Sequence, residues 1–333
     1  MKLDKVDLNI LYNLDYDARI PLSQLAKKVK LSKQNLNYRL NKLKKSNIIL
    51  SFVSVIDIHK LGYLTYRTYF RFKDVDEQKE KELIKYFREH ENVLWFVSSE
   101  GIWDLEVVIT ARNFIHFNNL LKKIKEDYGT HFSKYEVSSS IFNYHFKRDY
   151  LVNKRRDDFI PKYYGFEPEY NHLDDLDVNI IVALSKNCRQ SNQKLGNKLG
   201  VSYNTIKKRI QNLEEKKVIQ SHRTHLNIQA LGREYYKAYF SLNNPSKEQE
   251  KRLYSYASQF NSVVYLVEVL GQWQFEIEAE VGKQKEFMEI LKKIRNEFPD
   301  LILDYNFLLV TKEHKLNYLP MGKNILDSPF LRK

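Results

Sequence analysis

The sequence predicts an α+β chain of two tandem units, each a winged helix-turn-helix followed by a βαββαβ domain. Three observations carry this reading. A basic segment, "LSKQNLNYRLNKLKKSNII" at 31–49, returns as "VSYNTIKKRIQNLEEKKVI" at 201–219. Its Leu31, Ser32, Leu36, Arg39, Leu40, Leu43 and Ile49 each sit 170 residues before Val201, Ser202, Ile206, Arg209, Ile210, Leu213 and Ile219. The offset holds far outside that segment. Within each copy, helical periodicity then gives way to alternating strand and helix patterns.

The repeat runs nearly the whole chain. "LDKVDLNI" (3–10) returns as "LDDLDVNI" (173–180), Arg19 as Arg189, Leu61-Gly62 as Leu231-Gly232, and "GIWDLEVVI" (101–109) as "GQWQFEIEA" (271–279). "FNNLLKKI" (117–124) returns as "FMEILKKI" (287–294), and near the end Tyr150-Leu151 matches Tyr318-Leu319. This is a duplicated unit of about 150 residues, large enough to fold alone. The expected domains are a winged head at 1–60, an αβ sandwich at 61–151, a linker at 152–172, a second head at 173–230, a second sandwich at 231–320 and a tail at 321–333. The linker assignment rests on two prolines, mixed charge and no periodicity.

Each element follows from local chemistry. Asp4, with Asp7 three residues on, reads as an N-cap with an acid in the first turn, opening a helix that carries Ile10, Leu11 and Leu14 on one face. A second helix spans about Leu22 to Val29, and a third runs from Lys33 to about Ser46 with Ser32 as its cap. "NIILSFVSVIDI" (47–58) is β-branched and apolar and reads as a short hairpin, completing a winged helix-turn-helix. Beyond it, "YLTYRTYFRF" is a strand and "DEQKEKELIKYFREH" a helix. "VLWFVSSEG" and "WDLEVVITA" form a hairpin around Gly101, "FIHFNNLLKKIKEDYG" is a helix and "HFSKYEVSSSIFNYHF" a closing strand. The order βαββαβ is the ferredoxin-like pattern.

Composition narrows the function. Among 333 residues, 43% are hydrophobic and 29% charged, ordinary for a soluble globular protein. No run of about 18 apolar residues appears, so no membrane span is expected. The N-terminus has acids where a signal peptide needs an apolar stretch, so the expected location is the cytoplasm. Cys188 is the single cysteine, which rules out an internal disulfide or a cysteine-based zinc site. The histidines lack metal-ligand spacing, and neither metal nor cofactor is expected. Net charge is +13, and Lys27 to Lys45 holds eight Lys or Arg with no acid, which points to phosphate binding.

The combined pattern, "LDKVDLNIL", the basic helix-turn-helix, "LG" and a βαββαβ half carrying "GIWD", resembles the Lrp/AsnC regulators over nearly 300 residues. The resemblance implies a transcription factor and not an enzyme. Its winged heads would bind double-stranded DNA, and its second (RAM) domains would pair through their sheets. An amino-acid effector and higher homo-oligomers are further family features. Members usually carry one unit per chain, so two units suggest a dimer fused into one polypeptide.

In such a motif the N-terminal part of the third helix reaches base edges. That singles out Ser32, Lys33, Gln34, Asn35, Asn37, Tyr38, Arg39 and Lys42 in the first copy. Ser202, Tyr203, Asn204, Thr205, Lys207, Lys208 and Arg209 correspond in the second, with Arg223 on the wing. Asn and Gln pair with adenine, and Lys with guanine or phosphate. Arg39 and Arg209, one turn beyond the tip, suit a phosphate contact and a structural ion pair equally. The second copy replaces Lys44-Lys45 with Glu214-Glu215, so the first head is expected to contribute more charge. Gly101 and Asp104 match the family's Gly-x-x-Asp turn, near which effectors bind; Gln274 stands at the second copy's position. Two rivals remain at this level: a haem-pathway decarboxylase of sirohaem type, which shares the architecture, and an architectural protein that wraps DNA without specificity.

Overall fold

The computed structural model describes residues 3–154, 162–165 and 172–327. The first head comprises α1 (Lys5–Tyr16), α2 (Leu22–Lys28), α3 (Lys33–Lys45) and β1 (Ile49–Ile56). Asp4 and Asp7 form a reciprocal capping box at the start of α1, as the acid spacing implies. Ile10, Leu11 and Leu14 of α1 pack on Leu25 of α2 and on Leu36, Leu40 and Leu43 of α3, all buried. The second head repeats this with α6 (Asp175–Lys186), α7 (Asn192–Leu199), α8 (Tyr203–Glu215) and β7 (Ile219–Leu226).

The wings depart from expectation. Residues 47–58 do not fold back as a hairpin. β1 is one continuous strand, antiparallel to β7 of the other unit, with Val53 opposite Arg223. "ILSFVSVI" contains no Gly, Asn, Asp or Pro, so nothing in it can turn the chain within two residues. The strand's edge is satisfied only by its counterpart 170 residues away. A pseudo-twofold axis therefore runs between Val53 and Arg223.

The first sandwich contains β2 (Leu64–Phe72), α4 (Glu77–Glu89), β3 (Val93–Gly101), β4 (Leu105–Ala111), α5 (Phe114–Tyr128) and β5 (Phe132–His145). The second contains β8 (Glu234–Leu242), α9 (Lys247–Ser258), β9 (Val263–Leu270), β10 (Phe275–Val281), α10 (Gln284–Glu297) and β11 (Ile302–Leu316). Each has the expected βαββαβ order. Within a unit the strands run β5-β2-β4-β3 and β11-β8-β10-β9, and the sheets join edge to edge through β3–β11 and β5–β9. Since β5 also pairs with β2, the eight strands close into a barrel.

A further strand, β6 (Lys162–Tyr164), lies inside the stretch read as a structureless linker. It pairs with Asn143–His145, where β5 overhangs the part bonded to β2 and leaves an edge open. Most of that stretch, and residues 328–333 of the tail, lie outside the described residues. Among the described residues no helix is long and apolar enough to cross a membrane.

Candidate nucleic-acid interface

Each recognition helix is anchored by its apolar side and presents its polar side outward. Ser32 Oγ accepts from the Asn35 N–H at 3.1 Å, and Ser202 Oγ from the Thr205 N–H at 3.0 Å, so both helices are N-capped. On α3, Lys33, Gln34, Asn35, Asn37, Tyr38 and Lys42 are exposed. On α8, Tyr203, Asn204, Lys207 and Lys208 are exposed and Thr205 is half-buried, above buried Ile206, Ile210 and Leu213. Tyr38, 69% exposed, is a large ring without cover, as a residue destined for an interface would be.

Three of the singled-out arginines face elsewhere. Arg39 Nη1 bridges Asp4 at 2.8 Å and Asp7 at 2.7 Å, and Arg209 Nη1 bridges Asp174 at 2.8 Å and Asp177 at 3.1 Å. The two acids at the head of the first helix in each unit are a ready fork for a guanidinium one turn along the recognition helix. Of the two roles left open for this pair, the ion pair is the one formed. Arg223 is corrected outright. It is 5% exposed and donates through Nη2 to both oxygens of Asp15 and to the Phe146 carbonyl, so it points into the molecule. Because β7 is paired to β1 and not to a local wing, its inward residues face the barrel.

What holds the two heads together is a set of exchanged bonds. The Ala18 N–H donates to the His222 carbonyl at 2.9 Å and the Cys188 N–H to the Phe52 carbonyl at 2.8 Å. Asp57 N–H donates to Val218, and Asn227 N–H to Ile48. Arg19 donates to the Cys188 carbonyl and Arg189 to that of Ala18 at 2.7 Å. Every one of these pairs relates positions 170 apart, so each bond has its mate across the axis. Sequence comparison aligns Arg19 with Arg189 but assigns them no task; their common position just after the first helix was the available signal.

At the Gly101–Asp104 turn, Asp104 accepts from the Phe72 N–H at 2.7 Å and from Arg71 at 3.2 Å. Gln274 accepts from the Leu242 N–H at 2.9 Å in the same place. Both residues thus terminate a strand. Gly101 has φ of +138°, and a Cβ there would lie 2.9 Å from the Phe307 carbonyl oxygen of the other unit.

The barrel interior is charged. Arg67 lies 2.9 Å from Glu106 and 3.3 Å from both Glu276 and Glu278, while buried Lys237 bridges Glu106 and Glu276. Tyr69 donates to Glu276 and Tyr239 to Glu106, again as a twofold pair. Burial pushes Glu106 upward and outweighs Lys237 and Arg67. For Glu276, burial also pushes upward, but Lys237, Arg67 and the Tyr69 hydroxyl hold it below its usual range. Between this network and the β1–β7 ribbon lies a cavity of about 480 Å³, with Arg67, Arg148, Arg223 and His225 among its walls.

Comparison with known proteins fits these elements. A winged helix-turn-helix DNA-binding model matches residues 3–49, and an AsnC-type helix-turn-helix model matches 173–214. An uncharacterized HTH-type transcriptional regulator of Pyrococcus furiosus is 31% identical over 127 residues, which is 38% of this chain and 82% of that protein. The regulator LrpC of Bacillus subtilis is 39% identical over 62 residues, covering 19% of this chain and 43% of LrpC. Among solved structures, the siroheme decarboxylase NirDL aligns with 97% of this chain and 98% of its own, at a TM-score of 0.63 and 15% identity. That likeness is one of fold. It overturns the expectation of a chain without catalytic activity, since the whole two-unit architecture is shared with an enzyme.

Proposed function

The chain belongs to the Lrp/AsnC-type helix-turn-helix transcriptional regulators, and we propose that it holds DNA with both heads of one polypeptide, as a covalent pseudo-dimer. It is a DNA-binding regulator of transcription. The observation that carries the proposal is the pair of capped, outward-facing recognition helices fixed to one frame by the exchanged bonds of Arg19 and Arg189. Lys33, Gln34, Asn35, Asn37 and Tyr38 read bases in one head. Tyr203, Asn204, Thr205, Lys207 and Lys208 read in the other, and Lys42 adds phosphate contact. Unlike heads call for an asymmetric site rather than a palindrome. We extend the proposal to an amino-acid effector at the Gly101–Asp104 turn, where the Asp104 side chain is 26% exposed, to assembly of pseudo-dimers into larger oligomers, and to action in the cytoplasm.

Selection of bound sequences from a random duplex library, followed by a salt titration, tests this. A recovered asymmetric motif and a steep fall of affinity with salt support it; no shift of any duplex at low salt overturns it. The fold shared with NirDL and the arginine-bearing cavity on the axis favour a second reading, chemistry on a carboxylated tetrapyrrole. A visible absorbance titration with iron uroporphyrin decides that reading independently of DNA.

A further inference from the structure

We propose that the cavity on the pseudo-twofold axis binds a small carboxylate with an apolar body, held by Arg223. The cavity, about 480 Å³, lies in the range of roughly 300–1,000 Å³ typical of small-molecule sites. Its lining differs at matched positions on the two sides of the axis. Val53 faces Arg223 across the strand pair, and Val108 stands at the position that Glu278 occupies in the second unit. In a symmetric dimer each residue beside the axis meets a copy of itself, so an arginine would meet an arginine. Fusion into one chain removes that constraint, and here Val53 and Val108 stand on one side where Arg223 and Glu278 stand on the other.

The charged lining has donors to spare for one anion. Its carboxylates are already engaged: Glu280 by the Arg148 fork at 2.8 Å on both oxygens, Glu313 by His225 and by Trp95 Nε1 at 2.6 Å, and Glu278 by Arg67 and Tyr235. Arg148 uses all three of its nitrogens on Asp15 and Glu280. Arg67 likewise uses its three on Ser140, Glu106, Glu278 and Asn143. Arg223 differs. Its side-chain hydrogen bonds within the described residues all come from Nη2, so Nε and Nη1, on opposite sides of the guanidinium, are two separate charged donors of a residue that lines the cavity. Lys312, exposed at the mouth, adds a second cation. Trp95 and Val108 offer the surface for the apolar body. Each remaining guanidinium N–H donates a charge-assisted bond to a carboxylate oxygen, whereas a hydroxyl accepts only a weaker bond and an ammonium is repelled.

The test uses the full chain without DNA and three probes with one body: 4-phenylbutyrate, 4-phenylbutylamine and 4-phenylbutanol. Calorimetry and tryptophan fluorescence should show binding of the carboxylate, at least about tenfold tighter than either analogue. Arg223→Gln should remove that preference. Because this variant also strips a partner from Asp15 and can lose its fold, Lys312→Gln at the exposed mouth is measured beside it, with an expected loss of about twofold. Equal binding of the three probes, no binding of the carboxylate, or full affinity in a folded Arg223→Gln variant would overturn the proposal. So would a cavity that takes iron uroporphyrin and ignores phenylbutyrate. Failure here leaves the DNA-binding reading standing, since no DNA is present.

Discussion

Arg19 and Arg189, 170 positions apart, each donate a hydrogen bond to the carbonyl of the residue that precedes the other. Burial pushes both guanidinium pKa values down, yet the contacts are made with main-chain oxygens that no substitution of a side chain can remove. This exchange ties the two small heads to each other, and it depends on the two units being present together.

Replacing Arg19 or Arg189 with Ala should therefore cost about 1.5–3 kcal/mol of stability, the usual value of a hydrogen bond from a charged group. Thermal melts read that loss. The double variant should also bind a two-head DNA site more weakly while each head keeps its fold by circular dichroism.

The ion pairs of Arg39 separate charge that stabilises from charge that binds. Arg39→Met should lower the melting temperature and leave the slope of log K against log salt unchanged. Lys33→Met should do the reverse, reducing that slope by about 0.9 for one lost phosphate contact. A salt slope that drops with Arg39→Met would show that the arginine leaves its aspartates to reach DNA.

The heads differ in what they expose. Replacing Lys33, Gln34 and Asn35 together with Ala should weaken specific binding far more than replacing Tyr203, Asn204 and Thr205. Each lost bidentate base contact is worth about 1–3 kcal/mol, and competition binding with the selected site reads the difference. Equal losses would mean that the second head contributes as much as the first.

Acid should weaken the fold through His314. Its ring stacks on Phe96 and bonds Ser98, and burial, joined by Lys312 and Arg88, pushes its pKa down to about 4 from the usual 6.5. A histidine that resists protonation only while folded lets the unfolded chain take up the proton first. Stability contributed this way is complete above pH 6.5 and is lost as pH falls toward 4. Melting temperature measured across that window should fall less steeply in His314→Gln.

Asp104 offers a check on the turn proposed for an effector. Asp104→Ala should cost about 1–2 kcal/mol by orphaning the Phe72 N–H, while Asp104→Gln should be nearly neutral, since Gln274 performs that task in the second unit. Loss of an amino-acid response in Asp104→Gln, with stability kept, would mark the carboxylate itself as the ligand's partner.

Much of this was legible in the sequence, and the gaps have physical causes. The repeat, the capped helices and the order βαββαβ follow from local periodicity, which depends only on nearby residues. The partner of a strand does not: "ILSFVSVI" declares a strand, and its lack of turn residues excludes a hairpin, but nothing local names β7. Once that pairing is missed, Arg223 looks like an exposed wing cation instead of a wall of an interior cavity. Asp15 was the available clue, a carboxylate directly after Leu14 on the buried side of α1 that needs a buried cation. Arg148 and Arg223 supply it from distant parts of the chain.

Hydroxyl-radical footprinting of the selected site, with native mass spectrometry of the same complex, shows whether one chain reads DNA with two heads. The expected result is one chain per duplex and two protected major-groove segments about one helical turn apart, about 34–36 Å, or a multiple of it. A single protected segment, or two chains each using one head, would contradict it.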